Sequence, residues 1–196
     1  MNSIHSLDQL TELRIRNFPA SFKALALGFV CALGLAYVYA LGNITLVIGL
    51  SPKDIAIHYY GKAAEEAHKA AAAEEGEQEF SLDDSAAAPE APSKPAPSFK
   101  NLVAEGHFHL FGMTSFFFGL TLLGLFTAIP ATWKPTAVGL PYLFVILDNL
   151  SFMATRFLGP KFAYLTAVSG GLMALSFTVL WLAIVYEVIQ KPERKS

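Results

Sequence analysis

The side chains in this sequence able to hold a proton, a metal ion or a cofactor are few, and most lie inside or beside long apolar runs. Asp148 stands near the middle of one such run, with Asn149 beside it. Ser151 and Thr155 follow at i+3 and i+7, so Asp148, Ser151 and Thr155 share one helix face. An ionisable group in that setting is costly in lipid and turns to protein or water. Two roles suit it. One is proton transfer or ligand binding. The other is a structural hydrogen bond to a neighbouring helix, for which Thr114, Ser115, Thr121, Ser169 and Ser176 are the candidate partners.

A second set gathers near the far end of the same apolar runs. His107 and His109 are two residues apart, roughly 200° around a regular helix, so they cannot both ligate one ion without distortion. One of them faces the bundle, and spacing alone does not choose. His107 shares a stripe with Thr114 and Thr121; His109 shares one with Gly112 and lies near Ser115 and Gly119, small residues that admit close helix contact. His58, followed by Tyr59 and Tyr60, falls at the same level, as do Glu105 and Arg156. Haem b or a metal ion takes ligands from different helices in this way, and a quinone would take hydrogen bonds from the same groups. The identity of any metal stays open. The alternative is a belt of interfacial His and Tyr residues, with Arg156 reaching lipid headgroups.

The elements that must position these groups follow from composition. Hydrophobic residues make up 54% of the chain and charged residues 15%, well below the usual charged share of about 25%. A bilayer core of roughly 30 Å needs about 20 apolar residues in a helix, and backbone in lipid must bond within its own segment. The reading is an all-α integral membrane protein with four transmembrane helices, at 23–50, 101–130, 136–158 and 161–190. The turn at Gly159–Lys161 makes the third and fourth antiparallel neighbours. Residues 1–22 form an amphipathic segment on the membrane surface, opened by a Ser6/Gln9 capping box, with Ile4, Leu7, Leu10 and Leu13 repeating every three residues and Pro19 at its end. Residues 51–61 are interfacial. Residues 62–100 form a long disordered acidic loop, rich in Ala and then in Pro89, Pro92, Pro95 and Pro97. Residues 191–196 are a short tail. Ser169, Gly170 and Gly171 mark a helix crossing, Trp181 and Tyr186 suit the core or the interface, and Glu187 is solvated near a helix end.

An even number of spans puts both termini on one side. Lys and Arg divide seven to seven between the sides, but Arg14, Arg16, Lys23, Lys191, Arg194 and Lys195 crowd the two short tails. Positive-inside weighting makes both termini cytoplasmic and the long loop periplasmic, in a bacterial inner membrane.

Composition also excludes. No basic cluster interleaved with aromatics is present, so nucleic acid is not a partner. The single cysteine, Cys31, forms no internal disulfide, and the absence of CxxCH rules out a covalent c-type haem. No Ser/His/Asp order, phosphate loop or carboxylate pair supports an enzyme.

Two segments carry a resemblance. Leu50-Ser51-Pro52-Lys53-Asp54-Ile55 running into Tyr59-Tyr60-Gly61, together with His107-Phe108-His109-Leu110-Phe111-Gly112, resembles a family of proteobacterial inner-membrane proteins. Those have one helix, a periplasmic insertion, then three helices, and some carry a c-type haem sequence in the insertion. The resemblance implies work beside respiratory electron transfer. Asp148 and Ser169-Gly170-Gly171-Leu172-Met173 fit the same layout. This chain has no cysteine in its insertion, so only the scaffold, Asp148 and the His107/His109 pair carry over. The functional expectation is a non-catalytic scaffold or accessory subunit of a membrane complex, in contact with lipid and with membrane-protein partners or further copies of itself. The alternative is a redox-associated subunit that binds haem b or quinone.

Overall fold

The computed structural model describes residues 13–62, 66 and 95–192. The long loop from 63 to 94, apart from residue 66, the first twelve residues and the last four lie outside the described residues. Helix α1 (Ala20–Asn43) follows Pro19 and runs into a π-helical turn, Ile44–Ile48. Gly49 stops it with φ +95, where a Cβ would run into the Asp54 side chain, so only glycine serves there. Ser51 then caps α2 (Pro52–Tyr60). Its Oγ accepts from the Asp54 N–H at 3.1 Å, while the Asp54 carboxylate accepts from the Ser51 N–H, with Pro52 in the first turn. That is a reciprocal capping box, and Gly61, at φ +97, ends the helix.

Helix α3 (Phe99–Gly124) is capped by Ser98 Oγ, which accepts from the Asn101 N–H. A turn leads to α4 (Lys134–Leu158), and Gly159 with a 3-10 turn, Pro160–Phe162, leads to α5 (Ala163–Ile189). Pro141 sits inside α4, a substitution that membrane helices tolerate because neighbours satisfy the freed carbonyl. Among the described residues three helical stretches are long and apolar enough to cross a membrane: Ala20–Ile48, Lys134–Leu158 and Pro160–Ile189. Helix α3 runs between the same two ends as these. Glu105 bonds Tyr59 of α2 near one end, and the Ile15 N–H bonds Phe126 O just beyond the other.

We call the end where residues 13–19 meet the close of α5 proximal, and the end that carries α2 distal. The buried apolar residues divide the same way. Val30, Phe117, Val145 and Ile184 belong to a proximal cluster; Tyr59, Leu102, Phe152 and Ala163 belong to a distal one. The outer surface is apolar, with Leu46, Tyr39, Phe108 and Phe111 among its exposed large side chains. That is a lipid-facing surface.

Several boundaries differ from the sequence reading. The second long helix, expected over 101–130, starts at Phe99 and ends at Gly124, because Thr127 Oγ1 turns back to Gly124 O and Lys134 Nζ takes Leu125 O. The expected loop therefore stops at Ser98. Of the expected amphipathic segment 1–22, residues 1–12 lie outside the described residues; residues 15–17 form a short 3-10 turn, Ile15–Asn17, docked on the bundle with Ile15 fully buried.

Candidate functional site

Between the two apolar clusters three helices each bring a polar side chain to one point. On α3 it is His109, between Leu102 and Phe117; on α4 it is Asp148, between Val145 and Phe152; on α5 it is Ser169, between Ala163 and Phe177. The three meet. His109 Nε2 lies 3.1 Å from Asp148 Oδ2, and Ser169 Oγ donates to Asp148 Oδ1 at 3.1 Å. Asp148 and Ser169 are buried, whereas the His109 side chain is 31% exposed. Gly170 leaves room beside the carboxylate, since a Cβ there would lie 3.3 Å from Asp148 Oδ1. Both oxygens of the carboxylate thus have a partner from another helix.

One layer further out, Asn149 Nδ2 donates to Gly106 O at 2.9 Å, and a Cβ on Gly106 would press on Asn149 Oδ1. This ties α3 to α4 through a glycine. Ser151 and Thr155 lie on the buried face of α4 with Asp148; their hydroxyls bond carbonyls of their own helix, Asp148 O and Ser151 O, and Thr155 Oγ1 also lies 3.4 Å from Thr166 Oγ1 of α5. Among the described residues every buried side-chain nitrogen and oxygen has a hydrogen-bond partner.

The remaining candidate residues separate. His109 faces the bundle; His107 is exposed, with its ring 6.4 Å from Phe111. The pair therefore leaves α3 on different sides, and His109 Nε2 is engaged by Asp148. The residues present do not fit a haem held by both histidines. His58 packs edge-on to Tyr59 at 4.7 Å. Arg156 Nε donates to Pro97 O at 3.1 Å, so it fastens the segment before α3 to α4. Among the described residues no three His, Cys, Asp or Glu side chains converge to hold a metal ion. At the distal end Tyr59 OH donates to Glu105 Oε1 at 3.0 Å and its ring stacks on Phe152. Burial, and then the Glu105 carboxylate, push the Tyr59 phenol well above its ordinary value.

Of the partners expected for Asp148, Ser169 is found. Ser115, Thr121 and Ser176 instead bond backbone carbonyls of their own helices, and Thr121 also meets Tyr142 OH. The direct partner on α3 is His109, which sequence spacing had left undecided. Glu187, which the sequence reading places in solvent, is not exposed. It is fully buried, accepting from Arg14 Nη1 at 2.9 Å and from Arg16 Nε and Nη2 at 3.1 Å each. A lone acid near the close of α5 and two arginines in the segment before α1 are the available signal. Trp181, expected in the core or at the interface, donates its Nε1 to Val30 O at 2.8 Å, with its indole against Gly34.

A family model described as a transmembrane helical domain matches residues 49–195. Comparison with curated proteins and with solved structures finds no significant match.

Proposed function

This chain belongs to a family of transmembrane helical domains, and from that premise we propose that it is a non-catalytic accessory subunit or scaffold of a membrane complex in a bacterial inner membrane. The observation that carries this reading is the state of the two buried carboxylates. Asp148 and Glu187 each have both oxygens engaged by side chains of other elements of the same chain. Carboxylates used in that way join helices. In this reading α3 is the fourth span, its mean hydropathy lowered by His107 and His109. Both termini are cytoplasmic, and the loop from 63 to 94 is periplasmic. The test is blue-native electrophoresis of a tagged chain in membranes of its own organism. It should run in a complex well above its 21.2 kDa, and Asp148→Asn should keep it there. A chain that runs as a free protomer overturns the proposal.

A second reading rests on the partial exposure of His109. A quinone could hydrogen-bond that ring from the lipid side, and Asp148 would hold the ring in place. Titration of the purified chain with a short-chain quinone would separate the two. Saturable binding lost in His109→Phe supports the redox reading. An absorption spectrum with a Soret band would support a haem against both.

A further inference from the structure

His109 uses one ring nitrogen on Asp148 and keeps the other. Nε2 lies 3.1 Å from Asp148 Oδ2, whereas Nδ1 has no hydrogen-bond partner among the described residues. Every buried side-chain nitrogen and oxygen there is partnered. Nδ1 must therefore reach the surface of the bundle, in keeping with the 31% exposure of the side chain. Its level is that of the junction, between the proximal and distal apolar clusters. Hydrocarbon at that depth offers a polar nitrogen no water.

At this level α1 leaves an opening. It runs antiparallel to α3, and the two touch where the Phe29 ring fills the space beside Gly119. Gly112 lies on the same edge of α3, two turns nearer the distal end, and a Cβ there would meet nothing within 4 Å. His109 stands about one turn beyond Gly112, beside that edge. On the other wall, Tyr37 and Leu41 of α1 and Ile44 of the π-helical turn follow one face. Tyr37 stacks on Phe177, and Ile48 packs on the distal cluster. Leu41 and Ile44, between those two contacts, are exposed. Ten residues separate His109 from Gly119, and ten separate Phe29 from Tyr39, so Leu41 comes close to the level of His109. Helix α1 is thus held at both ends of a gap that it does not fill.

The ligand that suits this gap is uncharged, apolar and hydroxylated. Ser169 donates to Asp148 Oδ1. With the hydrogen on Nε2, donated to Oδ2, Nδ1 is an acceptor. With the hydrogen on Oδ2, Nε2 accepts and Nδ1–H donates. A hydroxyl satisfies either arrangement, because it both donates and accepts. A carbonyl satisfies only the second. Hydroxyls of membrane glycerides stay at headgroup level, so a hydroxyl this deep belongs to a molecule without a polar head. Met113, one turn from His109 and partly buried, offers a thioether that favours an aromatic ring. We infer that the gap between α1 and α3 is a binding site for a lipid-soluble quinol, held by its hydroxyl on His109 Nδ1, and that it selects the quinol over the oxidised quinone. The inference rests on the redox reading of His109 and adds to it the form of the ligand and the way in. Asp148 is a positioning residue: its partner atom decides what Nδ1 presents to the gap.

The test is equilibrium binding of a short-chain quinol, and of its quinone, to the full chain purified in detergent, stripped of lipid and kept under nitrogen. The quinol should bind about tenfold more tightly, the effect of one hydrogen bond to a group otherwise left unpaired. His109→Phe should remove the preference and most of the binding. Asp148→Asn answers the question if that variant does not fold. Its amide donates to Nε2 while still accepting from Ser169, which places the hydrogen on Nδ1, so the two affinities should come within about twofold of each other. Gly112→Leu should fill the gap and block most of the quinol binding. Gly171→Leu, which also meets nothing within 4 Å and lies across α5 from Ser169, should leave it unchanged. Equal affinities for quinol and quinone in the parent overturn the inference and leave the redox reading standing. Failure of both to bind saturably overturns both. Displacement of the quinol by equimolar diacylglycerol, a preference undiminished in Asp148→Asn, or equal binding by the Gly112→Leu and Gly171→Leu chains would each overturn the inference.

Discussion

Glu187 and Asp148 are two buried carboxylates in one small bundle, and they are held in different ways. Glu187 lies at the proximal boundary and faces two guanidinium groups. Asp148 lies between the two apolar clusters and faces a hydroxyl and an imidazole. The first is a charge-paired clasp that fastens the segment before α1 to the close of α5. The second is a hydrogen-bonded junction at which three helices meet. A buried acid thus becomes a clasp at one end or a junction in the middle according to its partners, and the sequence neighbourhood of the acid alone does not reveal which.

The sharpest way to break that comparison is at the proximal end. Glu187→Leu leaves Arg14 and Arg16 without their carboxylate and should cost about 3–5 kcal/mol, read as a lowered midpoint in thermal unfolding in detergent. The docked segment should also open, so trypsin should cut at Arg14 and Arg16 in the variant and spare them in the parent. A variant as stable as the parent would mean that the ion pair is a surface contact.

At the centre the effects should be smaller and should depend on chemistry. Asp148→Leu leaves Ser169 and His109 without a shared acceptor and should cost about 1–2 kcal/mol, the upper range for hydrogen bonds between membrane helices. Asp148→Asn keeps an acceptor for Ser169 and offers a donor to His109 Nε2, so its midpoint should stay within about 0.5 kcal/mol of the parent. Equal losses for Leu and Asn would show that the negative charge, rather than the hydrogen-bond pattern, holds the helices.

The distal end supplies a prediction in pH. The Tyr59 phenol is raised by burial and by Glu105. A group raised in the folded state contributes stability that is present below the ordinary tyrosine pKa of about 10 and is lost as pH rises beyond it. Of the seven tyrosines, Tyr59 should therefore resist ionisation in an alkaline absorbance titration until the bundle opens, and Tyr59→Phe should remove that late step. The smallest effect belongs to Trp181→Phe, which loses the bond to Val30 O and should cost about 1 kcal/mol. It should loosen α1 alone, as seen by faster amide exchange around Val30.

The helices were legible because lipid imposes a simple rule: apolar runs of sufficient length must bond within themselves. That rule marked Ala20–Ile48, Lys134–Leu158 and Pro160–Ile189 to within a few residues. It did not mark the end of α3, because Phe126, Thr127 and Ile129 are as apolar as a span, yet Thr127 and Lys134 turn their donors to the last carbonyls of that helix. For Asp148 one of the five candidate partners read from the sequence, Ser169, meets it in the structure. The choice between His107 and His109 was not legible, because it depends on how α3 is rotated against α4. That rotation is fixed by the contact of Gly106 with Asn149, which two isolated helical patterns do not encode. The Arg14–Glu187–Arg16 contact was obscured for another reason: residues near a span end read as solvated when the segment that covers them comes from the opposite end of the chain.

That last contact joins residues 173 positions apart, and it bears on the order in which the chain is made. Synthesis runs from the N-terminus, so α1 reaches the membrane while Glu187 does not yet exist. Arg14 and Arg16 cannot meet their carboxylate until α5 is inserted. The clasp therefore closes late in synthesis. A ribosome stalled before Glu187 would leave a bundle in which the segment before α1 is not joined to α5, and the accessibility of that arginine segment would report whether α5 is in place.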